Sequence, residues 1–270
     1  MIIQISGAED GIILRSFLKE TLGLSTHAVT ALKSKENGIL RNGTHVTVRA
    51  ILHEGDLLSL ALEDEEANGN LVPRDLPLSL LYEDDDIAVC TKSGDMPTHP
   101  SHGHYDDTLA NALAYRYRDR PYIFRAITRL DRETSGIVLT ARTAHAAHRL
   151  SLAMRERRIQ KGYLALVHGE APRQGEITLP IRRVSESVIL RETHESGAPS
   201  HTRYFRLATD GTYSLLAVFP LTGRTHQIRV HLSAIGLPLC GDCLYGREGD
   251  GFPRTMLHAA LLSFPHPTGD

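Results

Sequence analysis

Eight residues, Glu63-Asp64-Glu65-Glu66-Ala67-Asn68-Gly69-Asn70, set the first limit on how this chain folds. They carry four carboxylates, a glycine and no periodic apolar position, so they can neither cross a core nor carry a strand through one. The 270 residues are therefore read as two units, 1–62 and 78–270, joined by an acidic linker over 63–77. The composition suits folded units, with 41% hydrophobic and 23% charged residues. No apolar run reaches the length of a bilayer span, and Met1 to Gly7 lack the basic start and apolar core of a signal peptide. Cys90, Cys240 and Cys243 make no disulfide framework, so the expected compartment is the reducing cytoplasm.

Within the first unit, Asp10 is expected to cap a helix carrying Leu14, Phe17, Leu18 and Leu22 inward. A second helix is expected from about Ser25, with Val29 and Leu32 buried and Lys33 and Lys35 near its end. Asn42-Gly43 between short apolar runs predicts a hairpin that places Arg41 at its shoulder. A strand then runs from Leu57 to Leu62.

The formal net charge of −2 argues at first against a nucleic-acid partner. Its distribution reverses that: from Arg116 to Lys161 there are twelve Lys and Arg against four Asp and Glu. Glu63 to Asp86 holds nine acidic residues against one basic. A locally basic surface is what phosphate binding requires, whatever the total. The plainer reading is a set of solvated salt bridges.

The second unit reads as one α+β domain. Leu80–Tyr82 and Ile87–Cys90 are short strands, Thr108 to Tyr117 a helix, and Ile137 to Ala141 a buried strand. Thr143 opens a helix that turns Ala144, Ala147, Leu150 and Met154 inward and ends at Arg155, Arg157 and Arg158. Lys161 to Gly169 is an alternating strand, and residues 201–208 and 213–220 form a hairpin across Asp210-Gly211. Thr222-Gly223 is expected to open a helix that buries Ile228, Leu232 and Ile235. By residue type alone, Asp131 is a surface-turn carboxylate paired with Arg132, and Tyr163 is ordinary core packing.

The run Arg129-Leu130-Asp131-Arg132-Glu133-Thr134-Ser135-Gly136 resembles the signature of the RluA-type pseudouridine synthases, enzymes that isomerise uridine in structured RNA. The resemblance continues through Lys161-Gly162-Tyr163, Thr222-Gly223-Arg224-Thr225-His226-Gln227-Ile228-Arg229, Gly241-Asp242, Tyr245-Gly246 and Leu257-His258-Ala259, and so spans 78–270. It implies an α+β fold, a mixed and mainly antiparallel sheet with flanking helices. By the same resemblance Asp131 is the catalytic carboxylate at the sugar and Arg224 its partner. Tyr163 stacks on a flipped base near C5, Arg129 fills the vacated space, and Leu257 is an apolar floor. The implied substrate is RNA, large-subunit ribosomal RNA before transfer RNA, handled by a monomer without cofactor or metal.

The first unit resembles, in pattern, the alpha-L RNA-binding module that many of these enzymes carry, with Lys33, Lys35 and Arg41 as expected phosphate contacts. Two departures stand out. Thr128 occupies the place of a usual His, and Thr91 and Ser93 alter a loop that the family writes Asn-Lys-Pro-x-Gly, from which no catalytic role is expected.

Two other classes compete. A catalytically silent RNA-binding or ribosome-assembly factor would have no need of the Asp131, Tyr163 and Arg224 motifs together. A metal-dependent hydrolase would need more than Cys240-Gly241-Asp242-Cys243, which offers two ligands where a structural zinc takes four.

Overall fold

The computed structural model describes residues 1–22, 24, 26–61, 71–185 and 189–269. The acidic segment 63–70, the expected strand end at Leu62 and the expected helix start at Ser25 lie outside the described residues.

The N-terminal unit has strands β1 (Ile2–Gln4), β2 (Ile39–Arg41), β3 (Thr44–His45) and β4 (Leu57–Leu60), paired antiparallel in the order β1-β4-β2-β3. Asn42 and Gly43 take φ of 50° and 78°, the left-handed pair that a tight hairpin turn demands. The first helix, α1 (Leu14–Ser16), widens into a π turn at Phe17–Thr21, and α2 (Thr26–Ser34) follows. Asp10 does not cap α1, which starts after Ile13; its carboxylate instead accepts the Glu54 backbone N–H at 3.0 Å. Leu14, Phe17, Leu18, Val29 and Leu32 pack with Ile39, Leu58 and Leu60 into a core belonging to this unit alone.

Contacts with the second unit's core are already present at Leu71, within the expected linker. Leu71 packs beside Leu78 and Leu80 on the core under the next helix. Asn111 Nδ2 donates to the Val72 carbonyl at 2.8 Å, and Arg74 pairs with Asp106 at 2.7 Å. The apolar residues after the acidic run are thus packed rather than part of a solvated linker.

Among the described residues the large sheet has nine strands. In chain order these are β5 (Ser79–Glu83), β6 (Ile87–Lys92), β7 (Arg125–Ala126), β8 (Ser135–Ala141), β9 (Gln160–His168) and β10 (Gln174–Ile177). A small separate hairpin, β11 (Ile181–Arg183) and β12 (Arg191–Thr193), precedes β13 (Thr202–Thr209), β14 (Tyr213–Pro220) and β15 (Leu257–Ser263). The order is β10-β13-β14-β9-β15-β8-β6-β5, with β7 added on β8. Every pairing is antiparallel except β15 with β8. The expected α+β class and mainly antiparallel sheet are thus what the chain forms.

Alternation along the strands divides the core. On β6 and β8, Ile87, Val89, Leu139 and Ala141 meet α4 (Ala144–Arg155). Cys90 and Val138 point the other way, to α3 (Leu109–Arg116). Thr108 and Thr143 cap α3 and α4 with their side chains, as their positions predict.

The last helix, α5 (Gln227–Ala234), does not open at Thr222-Gly223. The Gln227 carboxamide accepts the Thr222 hydroxyl at 2.7 Å and the Arg224 N–H at 3.0 Å, holding that segment as a loop before the first turn. Ile228 and Leu232 are buried, but Ile235 ends the helix 39% exposed. Helix α4 likewise stops at Arg155, and Arg157 turns out of it at φ 59°.

Candidate active site

The loop between Thr128 and Ser135 leads into β8 at the middle of the sheet, and its backbone is held at several points. Thr128 Oγ1 accepts the Leu139 N–H at 2.9 Å, and the Thr128 N–H donates to the Leu139 carbonyl at 3.2 Å. A buried hydroxyl here clasps the loop onto β8, so the position typical of His is filled by a fixing group. Two residues on, Leu130 presents both backbone groups to Thr98, whose Oγ1 donates to its carbonyl at 3.0 Å and accepts its N–H at 3.3 Å. The Arg132 carbonyl accepts from Lys92 Nζ at 2.9 Å.

Lys92 is wholly buried and donates also to the carbonyls of Ser93 and Met96, at 2.8 and 2.7 Å. Burial brings its pKa down to about 8, against the pull of Asp131 and Asp95. Lys92, which both this chain and the family pattern contain, thus ties the 91–100 loop to the loop that carries Asp131. Sequence reasoning passed over it because Thr91 and Ser93 broke that pattern.

Glycine at 136 lets β15 come close. Its φ is 121°, and a Cβ there would lie 2.2 Å from the Ala259 carbonyl oxygen. The close approach sets Leu257 and Tyr163 beside the loop, since Ala259 pairs with both Gly136 and Tyr163. Leu257 is 3% exposed, and Tyr163 packs against the core cluster that contains it. Burial, with a further contribution from Asp131, raises the Tyr163 pKa to about 12.

Asp131 keeps 29% of its side chain exposed and faces Arg229, whose Nη1 is 3.6 Å from its Oδ2. The arginine that meets the carboxylate is thus Arg229 and not Arg224. Arg224 is exposed in the loop before α5, where its Nε donates to the Pro199 carbonyl at 3.2 Å. Arg229 lies within α5 and points into the core, 3% exposed.

A buried guanidinium needs partners. Asp242 supplies a bidentate pair, accepting from Nε at 2.8 Å and Nη2 at 2.6 Å. Asp242 is itself fixed by the N–H groups of Leu244 and Tyr245 at 2.9 and 3.1 Å. Gly241 is required just before it, for a Cβ there would meet the Arg254 carbonyl oxygen at 1.9 Å.

Glu133, 3.7 Å from Arg229 Nη2, accepts from Thr255 at 2.7 Å and from the Cys243 thiol at 3.3 Å. Burial opposes charge on all three groups. For Arg229 the bonds to Asp242 and the charges of Asp131 and Glu133 prevail and raise its pKa. For Asp242 the Arg229 bonds prevail, and for Glu133 the Thr255 and Cys243 bonds, and both pKa values fall. The result is one fixed cation with three carboxylates around it, of which Asp131 sits at the edge of solvent.

Arg129 is exposed, with no hydrogen bond or ion pair among the described residues. In the N-terminal unit Lys33 is exposed too. Lys35 and Arg41, the other two expected phosphate contacts, each bond within their own unit. Lys35 Nζ donates to the Ala61 carbonyl at 3.1 Å, and Arg41 Nη1 donates to the Ile51 carbonyl at 2.7 Å, 3.7 Å from Asp56. Both side chains tie strands and loops of their own unit together.

A mainly antiparallel sheet that carries an arginine-paired carboxylate at the edge of solvent and a partly buried tyrosine is in keeping with the class of RNA-modifying isomerase that the sequence resembles. The family profile described as RNA pseudouridylate synthase matches residues 86–234. A Bacillus subtilis protein named uncharacterized RNA pseudouridine synthase YjbO is 37% identical over 249 residues, covering 91% of this chain and 88% of that one. The ribosomal large subunit pseudouridine synthase D of Vibrio parahaemolyticus is 37% identical over 230 residues, covering 79% and 70%. Among solved structures, human RNA pseudouridylate synthase domain containing 1 superposes with a TM-score of 0.62 at 34% identity, over 71% of this chain and 80% of that one. The chain belongs to the RluA-type RNA pseudouridine synthase family, and its activity is isomerisation of uridine in RNA.

Proposed function

We propose that this enzyme modifies specific uridines of structured large-subunit ribosomal RNA, flipping the base out and using Asp131 at the ribose. The observation that carries the reading is the pairing of Asp131 with Arg229 on a loop locked by Lys92, Thr98 and Thr128. A carboxylate so held is oriented before substrate arrives, and its partner's other bonds prevent it from moving. The reaction breaks N1–C1′, turns the base and rejoins it through C5. Asp131 either attacks C1′ or takes the 2′ proton.

A stacked base is out of reach, and extrusion costs roughly a few kcal/mol. Arg129, exposed beside the carboxylate, enters the space left behind. Tyr163 stacks on the extruded ring above Leu257 as a protonated phenol, a state that burial, which raises its pKa to about 12, reinforces. Relatives named for the ribosomal large subunit support that target. The N-terminal unit is read as an alpha-L type RNA-binding module, gripping phosphates through Lys33 and the exposed Arg15 and Arg49. Pseudouridine mapping of total RNA from cells with and without the gene tests the reading. At least one large-subunit site should vanish, and an unchanged map would refute the assignment.

A further inference from the structure

His226 stands just before α5 with φ at +56°, a left-handed backbone that residues bearing a Cβ rarely adopt. Such positions persist where the surroundings enforce them, often at functional sites. The enforcing contact here is Tyr245: the two rings meet edge-on with centroids 5.6 Å apart, and His226 Nδ1 is 2.8 Å from the Tyr245 hydroxyl.

The Tyr245 oxygen accepts the Arg191 backbone N–H at 2.9 Å, and its hydroxyl meets His226 Nδ1 at 2.8 Å. With the phenol as donor to Nδ1, a neutral imidazole carries its proton on Nε2, and this is the tautomer the inference uses. The ring is neutral near pH 7. Burial lowers its pKa below the ordinary 6.5, Asp131 opposes that, and Arg229 and Arg191 add to the fall.

Nε2 has no hydrogen-bond partner among the described residues, and it is not one of the sealed polar atoms of the interior. Nε2 lies on the side of the imidazole away from Nδ1, and Tyr245, which holds Nδ1, lies with its ring centroid 5.3 Å from the Arg229 guanidinium that meets Asp131.

We propose that His226 donates Nε2–H to a carbonyl oxygen of the target uracil and stabilises the charge that base carries once detached. The inference rests on the isomerase reading above. Heterolysis of N1–C1′ leaves the electron pair on the base, where it spreads onto both carbonyl oxygens. The electron-poor C1′ is met by Asp131 or relieved by loss of the 2′ proton. Bond formation from C5 to C1′ follows, breaking the Asp131–C1′ ester on the first course or returning the 2′ proton from Asp131 on the second. C5 then releases its proton and N1 gains one, so that atoms and electrons balance. A neutral donor suits this course, because it stabilises the anion without protonating the carbon nucleophile's conjugated system. Its orientation is set in advance by Tyr245.

Initial rates of pseudouridine formation by wild type, His226→Leu and His226→Gln on total RNA from cells lacking the gene provide the test. Thermal melting of each protein is recorded alongside. Both replacements meet the same left-handed backbone, but only Gln can return an N–H near the Nε2 position. Leu is expected to lose about 10- to 100-fold, as for a hydrogen bond to a charged group, and Gln to recover about tenfold over Leu. A transcript bearing the mapped uridine as its 2-thio or 4-thio analogue supplies a second arm, since sulfur accepts weakly. One of the two should slow wild type by about tenfold. Leu and Gln variants equally impaired, or both at the wild-type rate, would overturn the proposal, as would two thio substrates that react like uridine. A wild-type protein that makes no product would instead remove the isomerase reading and this inference with it.

Discussion

Arg224 and Arg229 belong to the same short run, yet only Arg229 reaches Asp131. The distinction rests on where α5 begins. Gln227 bonds back to Thr222 and Arg224, so Arg224 stays on the exposed loop while Arg229 enters the helix facing inward. Composition marks both as cations and cannot say which one is buried. Arg229→Lys should cut the single-turnover rate by at least about 100-fold, because an ammonium cannot make the fork to Asp242 and still meet Asp131. Arg224→Ala should stay within about threefold. Single-turnover rates for the two variants, with melting curves to register the broken buried pair, decide it; equal losses would return the role to Arg224.

Lys92 makes a pH prediction at the same scale. Its pKa is about 8 in the folded protein against 10.5 for the free side chain. Between those values the unfolded chain binds the extra proton, so this group's contribution to stability rises with pH across the window. The hold on the Arg132 carbonyl weakens in the same window as the ammonium loses a proton. The rate should therefore fall above about pH 8 while the melting temperature does not fall on this group's account. A Lys92→Arg variant should lack that alkaline limb. A profile flat from pH 7 to 10 in wild type would show that the charge on Lys92 does not serve the loop.

Among the elements, periodicity served well where both faces of a strand or helix are packed. Strands β6 and β8, and helices α3 and α4 with their threonine caps, stand close to where alternation and capping residues put them. The misplaced starts share a physical cause. Asp10, and the Thr222-Gly223 pair, carry helix-opening chemistry, but tertiary bonds divert it: Asp10 goes to Glu54, and Gln227 holds Thr222 outside the helix. Lys35 and Arg41 were legible as basic residues, not as braces to Ala61 and Ile51, because those partners are distant in sequence.

Gly136 is the element-scale feature with the sharpest consequence. Replacing it with Ala puts a Cβ 2.2 Å from the Ala259 carbonyl oxygen at φ 121°. That should force β8 and β15 apart and cost at least about 2 kcal/mol. Denaturant unfolding of Gly136→Ala measures it, and a stability within about 0.5 kcal/mol of wild type would mean that the strands do not need this close approach.

At the scale of the whole molecule, the N-terminal core and the cores of the large sheet share no buried residue and flank the acidic run. The acidic composition set the expected division, but the packing of Leu71 and the bond to the Val72 carbonyl were not legible in it, since both residues follow the carboxylates without a turn signal. A protein starting at Leu71 should fold and keep the chemistry, binding RNA more weakly. The slope of log affinity against log salt should flatten by about one unit for each phosphate no longer neutralised. Arg15, Lys33 and Arg49 changed together to Ala in the full chain should reproduce most of that flattening. Identical slopes for all three proteins would make the N-terminal unit a structural cap.

The proposed mechanism places Asp131 at the sugar, as the centre of the chemistry. Its direct test is the single-turnover yield of pseudouridine from Asp131→Asn on RNA isolated from cells lacking the gene, with RNA affinity measured on the same preparation. The exchange keeps shape and removes charge. The rate should fall below about a thousandth of wild type, as when a nucleophile or base is removed, with affinity within a few-fold. Product forming at a rate near wild type would contradict the assignment of the chemistry to Asp131.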